Sequence, residues 1–183
     1  MGQIDNEQFR EIILKEVGRH LEDAETSKLS HFYAAQRYER IHKYYIGLPT
    51  TIAALLLSWL VAQKNISANE DLLFAIKIIL SLIVAVSTGV STFLNFNAYA
   101  AQHRKAALRY QEVWRKCKNW DTDFPDDTKL DLAKKTVQDY RETMTNINQE
   151  SPQIPRWAWK SVDQQVSEGS TNYEIEKTSN DRR

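Results

Sequence analysis

The sequence predicts an all-α membrane protein: a two-span transmembrane helical hairpin with cytoplasmic helical extensions and a C-terminal helix. Three observations predict it. Two apolar runs, at 45–63 (YIGLPTTIAALLLSWLVAQ) and 72–96 (LLFAIKIILSLIVAVSTGVSTFLNF), each reach the roughly 20 residues that a helix needs to cross a hydrocarbon core about 30 Å thick. Only a short polar loop, KNISANED at 64–71, separates them. On either side of this pair the chain is polar, and its apolar residues recur at three- and four-residue steps, the signature of amphipathic helices.

The first run has no formal charge between Lys43 and Lys64. Its hydroxyls, Thr50, Thr51 and Ser58, can bond back to helix carbonyls, and Pro49 stands near the start, where a missing N–H matters least. Tyr44, Tyr45 and Trp59 lie near the ends, where amphipathic rings suit a membrane interface. The second run carries one charge, Lys77, close enough to its end for the ammonium to reach the headgroups. The alternative is a soluble bundle with two buried helices. Such helices keep a wet face, and 52–60 has none. Lys and Arg flank the pair as Arg37, Arg40 and Lys43 before it and Arg104, Lys105 and Arg109 after it. The loop sets Lys64 against Glu70 and Asp71, so both termini are expected on the cytoplasmic side.

Taken in order, Asp5 with Gln8 fits a capped helix start. Phe9, Ile13, Val17, Leu21 and Ala24 then share one side of an acid-rich helix, which is expected to dock on the body. A second start is expected around Thr26–Ser27, with Ala34, Tyr38, Ile41 and Tyr45 continuing into the first span. The second span is expected to continue as one long helix, with Phe96, Ala100, His103, Ala107, Tyr110, Trp114 and Cys117 forming a seam. NWDTDFPDDT at 119–128 reads as a loop broken by Pro125, with Asp126 or Asp127 capping the next helix. Leu130, Ala133, Val137, Tyr140, Met144 and Ile147 form that helix's apolar seam, which ends before Pro152. Pro152 and Pro155 favour an extended segment, and Trp157 and Trp159 would dock it on the third helix. The domain is thus one unit at 1–160, with spans at about 45–63 and 72–96 and cytoplasmic helices at about 5–44, 97–119 and 127–149. A disordered polar tail is expected at 161–183.

Composition excludes several function classes. Lys plus Arg and Asp plus Glu are equal at 24 each, so no global field draws nucleic acid, and no direct nucleic-acid binding is expected. The single cysteine, Cys117, rules out an intrachain disulfide framework. Five scattered glycines form no phosphate-cradling loop. The four histidines, His20, His31, His42 and His103, have no metal-ligand spacing; His31 and His42 share a helix face about 16 Å apart. They read as seam or interface residues, and Cys117 reads as a buried thiol. No catalytic residue, cofactor or metal ligand is expected, and so no enzyme activity. Neither span contains Asp, Glu or His at membrane depth, which speaks against an ion-coupled transporter.

One polar feature remains. At about 100° per residue, Lys77, Ser81, Thr88, Thr92 and Asn95 fall within roughly 60° of one another on the second span, with Ser91 at the margin. Ile79, Ile83, Val86, Val90 and Phe93 occupy the opposite side. The stripe reads either as a packing seam, between the two spans or between subunits, or as a pore lining assembled from several hairpins. Two spans alone enclose no water path.

The layout resembles the SLATT family, the two-transmembrane effectors that associate with SMODS and SLOG proteins. The likeness lies in three stretches. The first is the aromatic and basic entry His31-Phe32-Tyr33 through Arg37-Tyr38-Glu39-Arg40-Ile41. The second is the exit Phe93-Leu94-Asn95-Phe96, followed by Ala101-Gln102-His103-Arg104 and Ala107-Leu108-Arg109-Tyr110. The third is Ser151-Pro152-Gln153-Ile154-Pro155. The resemblance covers about residues 5–160. It implies an effector of a bacterial conflict or antiphage system, which oligomerises in the inner membrane and perforates it when a separate sensor signals infection. The sensors the family implies are a nucleotidyltransferase, a SLOG protein or a reverse transcriptase. The lipid bilayer and further copies of the chain are the other expected partners. The alternative is a non-conducting, membrane-anchored adaptor that recruits a cytoplasmic partner. The family supplies no catalytic residue to carry over.

Overall fold

The computed structural model describes residues 6–63, 70–125 and 129–167. Every element among them is helical. In order they are α1 (Asn6–Arg40), a π-helical segment (Ile41–Gly47), α2 (Leu48–Ala62), α3 (Glu70–Leu94), α4 (Phe96–Lys118), the single turn α5 (Trp120–Asp123), α6 (Leu130–Glu150) and α7 (Arg156–Ser167). The caps expected at Asp5 and at Asp126 or Asp127, the loop at 64–69 and the tail from 168 lie outside the described residues. The chain divides into two compact units, Met1–Ala34 with Gln102–Arg183, and Ala35–Ala101.

The first unit owns the core. Ile13, Val17 and Ala24 of α1 meet Tyr110, Val113, Trp114 and Cys117 of α4. Ala133, Val137, Tyr140, Met144 and Ile147 of α6 complete it. These are the seams that the helical period of the sequence marks, and burying each large apolar side chain contributes roughly 1.5–3 kcal/mol. Polar contacts tie the same helices at the rim. Arg141 donates to Glu16 at 2.6 Å, Arg109 pairs with Glu150, and the Tyr110 hydroxyl donates to Asn148. Lys28, itself buried, lies over the Trp114 ring at 3.6 Å.

Three expectations change here. No second helix starts at Thr26–Ser27; α1 is continuous, because Ser and Thr cap a helix only where the backbone leaves helical geometry, and the neighbouring Ala24, Glu25, Lys28 and Ser30 are all packed inside. The loop expected from 119 starts with a helical turn, since Trp120 is drawn into the core against Phe124 at 4.4 Å and Tyr140 at 6.3 Å. The stretch after Pro155 is α7 rather than an extended strap, and it runs through 161 to Ser167. The Pro155 carbonyl accepts the N–H groups of Ala158 and Trp159 at 2.9 and 3.2 Å, which opens the helix. Ala158 and Val162, four residues apart, are its buried face; Trp157 meets Tyr33 at 5.9 Å, and Trp159 stays 46% exposed.

In the second unit α2 packs on α3. The half-buried or buried positions of α2 are Thr50, Ala53, Ala54, Leu57 and Leu60, with Ile46 and Gly47 of the π segment below them. Small residues at this spacing allow close helix approach. Elsewhere the two helices are bare: α3 has no buried residue, and Leu55, Phe74 and Phe93 are 66%, 66% and 89% exposed. A soluble bundle would have to hide that surface. These are instead two helices long and apolar enough to cross a membrane.

The first apolar run is entered through the π-helical segment, where the Leu48 N–H reaches back five residues to the Lys43 carbonyl. Pro49 explains it. Pro49 lacks the N–H that would bond the Tyr45 carbonyl, and its ring would clash there in a regular helix. The wider turn just before it absorbs the misfit. Gly47 permits the turn, because a Cβ at that position would lie 3.2 Å from the His42 carbonyl oxygen. The second run does not continue into α4 as one helix. Asn95 breaks it with φ at 41°, a left-handed conformation that Asn tolerates better than most residues.

Candidate functional site: an exposed polar stripe and a buried histidine pair

The stripe lies on α3, and the fold divides it. The half-buried positions of α3 are Leu73, Ile76, Lys77, Leu80, Val84, Ser87 and Ser91, a three-and-four seam matching its contact with α2. Lys77 and Ser91 therefore sit on the seam between the two apolar helices. Ser81, Thr88, Thr92 and Asn95 do not; all four are exposed. A packing seam within the chain is thus no account of these four residues.

Their hydrogen bonds are local. Ser81 Oγ donates to the Lys77 carbonyl at 2.7 Å, and Thr92 Oγ1 donates to the Thr88 carbonyl at 2.9 Å. Thr50, Thr51 and Ser58 of the first run do the same to Ile46, Gly47 and Ala54 at 2.6, 2.8 and 2.8 Å. A hydroxyl bonded in this way remains an acceptor and exposes no unmet donor to an apolar medium. Asn95 serves a different purpose from the other three. Its N–H closes α3 on the Ser91 carbonyl at 3.1 Å, while its Oδ1 accepts from the Ala98 N–H at 3.3 Å and opens α4. It is a helix junction as much as a member of the stripe.

The first unit contains a group that sequence spacing does not reveal. His31 of α1 and His103 of α4 meet Nδ1 to Nδ1 at 2.8 Å, with the Tyr110 ring stacked on His31 at 5.6 Å. His31, His103 and the adjacent Ser30 are 1%, 2% and 0% exposed, and Ser30 Oγ has no hydrogen-bond partner among the described residues. One Nδ1 must carry the proton and the other must accept it, which fixes opposite tautomers on two neutral rings. Burial, helped by the facing His103, pulls the His31 pKa down to about 4, and burial lowers His103 as well. The pair is thus a neutral lock between α1 and α4. Its only advance signals were the seam position of His103 and the presence of His31 on α1.

Other chemistry-bearing groups stay apart. Among the described residues no three metal-ligating side chains come together. Burial pushes the Cys117 thiol up to about 12, so it is not a thiolate at neutral pH. His20 lies 3.7 Å from Glu16 on α1, with burial lowering its pKa. His42 lines a cleft of about 700 Å³ at the π-helical segment, together with Lys43, Tyr44 and Asn97. Compared with protein-family models, curated proteins and solved structures, the chain matches none.

Proposed function

We propose that the chain is a membrane effector of the SLATT type: its two apolar helices form a transmembrane hairpin with both termini cytoplasmic, and several copies assemble a pore in the inner membrane. A separate sensor, of the nucleotidyltransferase, SLOG or reverse-transcriptase kind, is its trigger. The observation that carries this reading is the exposure of Ser81, Thr88 and Thr92 on α3, away from α2, along a surface that is otherwise apolar. Polar side chains so placed gain more from facing one another across subunits, or water, than from facing lipid tails. The self-bonded hydroxyls of Ser81 and Thr92 favour a second reading, a non-conducting anchored adaptor, because they let the stripe tolerate lipid.

Membrane potential in bacteria expressing the chain separates the two. The test compares wild type with a Ser81→Ala, Thr88→Val, Thr92→Val variant at matched membrane abundance, using a potential-sensitive dye, alone and with the genomic neighbour co-expressed. Asn95 is left intact, because its loss would disturb the α3–α4 junction. The pore depolarises cells as wild type and not as the variant. A wild type that is silent in both settings, while still recruiting a cytoplasmic partner, leaves the adaptor.

A further inference from the structure

We infer that the cleft at the π-helical segment binds the phosphate of a glycerophospholipid, anionic in preference to zwitterionic; the inference rests on the membrane reading above. The cleft's volume of about 700 Å³ lies within the roughly 300–1,000 Å³ of small-ligand sites. It takes its shape from the π turn, the local irregularity that often marks functional positions. Three side chains on its wall bring hydrogen-bond donors: the Lys43 ammonium, the Tyr44 hydroxyl and the Asn97 amide. Lys43 also stands 5.3 Å from the centre of the Tyr44 ring, a contact that does not use up three ammonium donors. His42 Nδ1, beside it, is buried with no hydrogen-bond partner among the described residues. The carboxylate among the described lining residues, Glu39, has an interaction of its own, and the Lys43, Tyr44 and Asn97 donors are the groups that would hold an anion.

The surroundings point to a lipid rather than a free phosphate ester. From the cleft, Leu48, Ile52, Leu55 and Trp59 ascend α2 at four- and three-residue steps, and they are 52%, 49%, 66% and 56% exposed. That is a track for an acyl chain whose headgroup sits in the cleft. Tyr45 and Tyr99 are 77% and 50% exposed, rings of the kind that border a headgroup layer. Arg40, exposed in the last turn of α1, adds positive charge nearby.

The test uses the full chain, exchanged into micelles containing phosphatidylglycerol or phosphatidylcholine, with retained lipids counted by native mass spectrometry. Wild type should retain phosphatidylglycerol over phosphatidylcholine, and Lys43→Gln should lower that retention about fivefold. Lys43→Arg should keep it, and Lys135→Gln controls for net charge. Melting curves establish that each variant is folded. Equal retention of both lipids, or retention unchanged in Lys43→Gln, would overturn the site. Inorganic phosphate alone giving the same Lys43-dependent rise in melting temperature as phosphatidylglycerol would overturn the lipid assignment in favour of a soluble phosphate. Release of the chain from membranes by alkaline carbonate would overturn the membrane reading and this site together. A membrane-retained chain without Lys43-dependent lipid retention would overturn the site alone.

Discussion

Acidification from about pH 7.5 to about pH 5 should loosen the first unit through His31. In the folded chain this side chain is 1% exposed and its pKa is held at about 4, against 6.5 for the free imidazole. Burial is the first cause and the facing His103 the second. Above pH 6.5 both states are neutral and the stabilisation is fully present. As pH falls below that value the unfolded chain takes up a proton that the folded chain refuses, so stability declines until the folded value is passed. A gap of about 2.5 units corresponds to about 3 kcal/mol, of which about 2 kcal/mol is gone by pH 5. His103 and His20, both lowered chiefly by burial, act in the same direction. Glu16 and Glu112, lowered chiefly by Arg141 and Lys116, lose their contributions only once pH drops below 4.5, outside this window. The assay is denaturant unfolding of the detergent-solubilised chain, followed by the fluorescence of Trp114 and Trp120, both of which lie in the core. His31→Gln keeps a polar partner for His103 and removes the titration. Wild type should lose about 2 kcal/mol more than this variant between the two pH values. Equal losses in the two proteins would refute the reasoning, since no proton uptake would then be linked to the His31 site.

Two further outcomes follow from other residues. Asn95→Val should destabilise the chain by about 1–2 kcal/mol, because a β-branched residue is strained at a φ of 41°, whereas Asn95→Gly should lose only the Oδ1 cap; thermal melts of the two variants separate strain from capping. Cys117 should resist thiol reagents at neutral pH and react only as the first unit unfolds; its pKa, raised by burial from 9.0 to about 12, makes its contribution fade as pH climbs through that interval, so labelling rate and melting temperature should diverge from those of an exposed thiol above pH 9.0.

Much of the fold was legible because helices write their buried face into a local period. Ile13, Val17 and Ala24, then Tyr110, Trp114 and Cys117, then Ala133 through Ile147 could be picked out by spacing alone, and they are residues of the packed core. The two apolar runs were legible for a simpler reason, their length without charge. Breaks and starts were harder. A Ser or Thr within a helix looks the same as a cap, so Thr26–Ser27 misled, and Pro49 and Asn95 announced irregularity without saying whether it would be a wide turn or a left-handed residue. Trp120 and the α7 face of Ala158 and Val162 lay in stretches whose composition speaks for loop or tail, and they are helical because a core was there to receive them. The polar stripe was visible as an angle on one helix, but an angle has no origin until a neighbour is placed. Contact with α2 put Lys77 and Ser91 inside the seam and left Ser81, Thr88 and Thr92 outside it. By itself, then, the sequence determined the apolar seams of α1, α4 and α6 and which runs are long enough for a membrane, since both depend on near neighbours along the chain. Tertiary structure decided which of those faces meet. The His31–His103 pair, 72 positions apart, exists only because two helices bring it together.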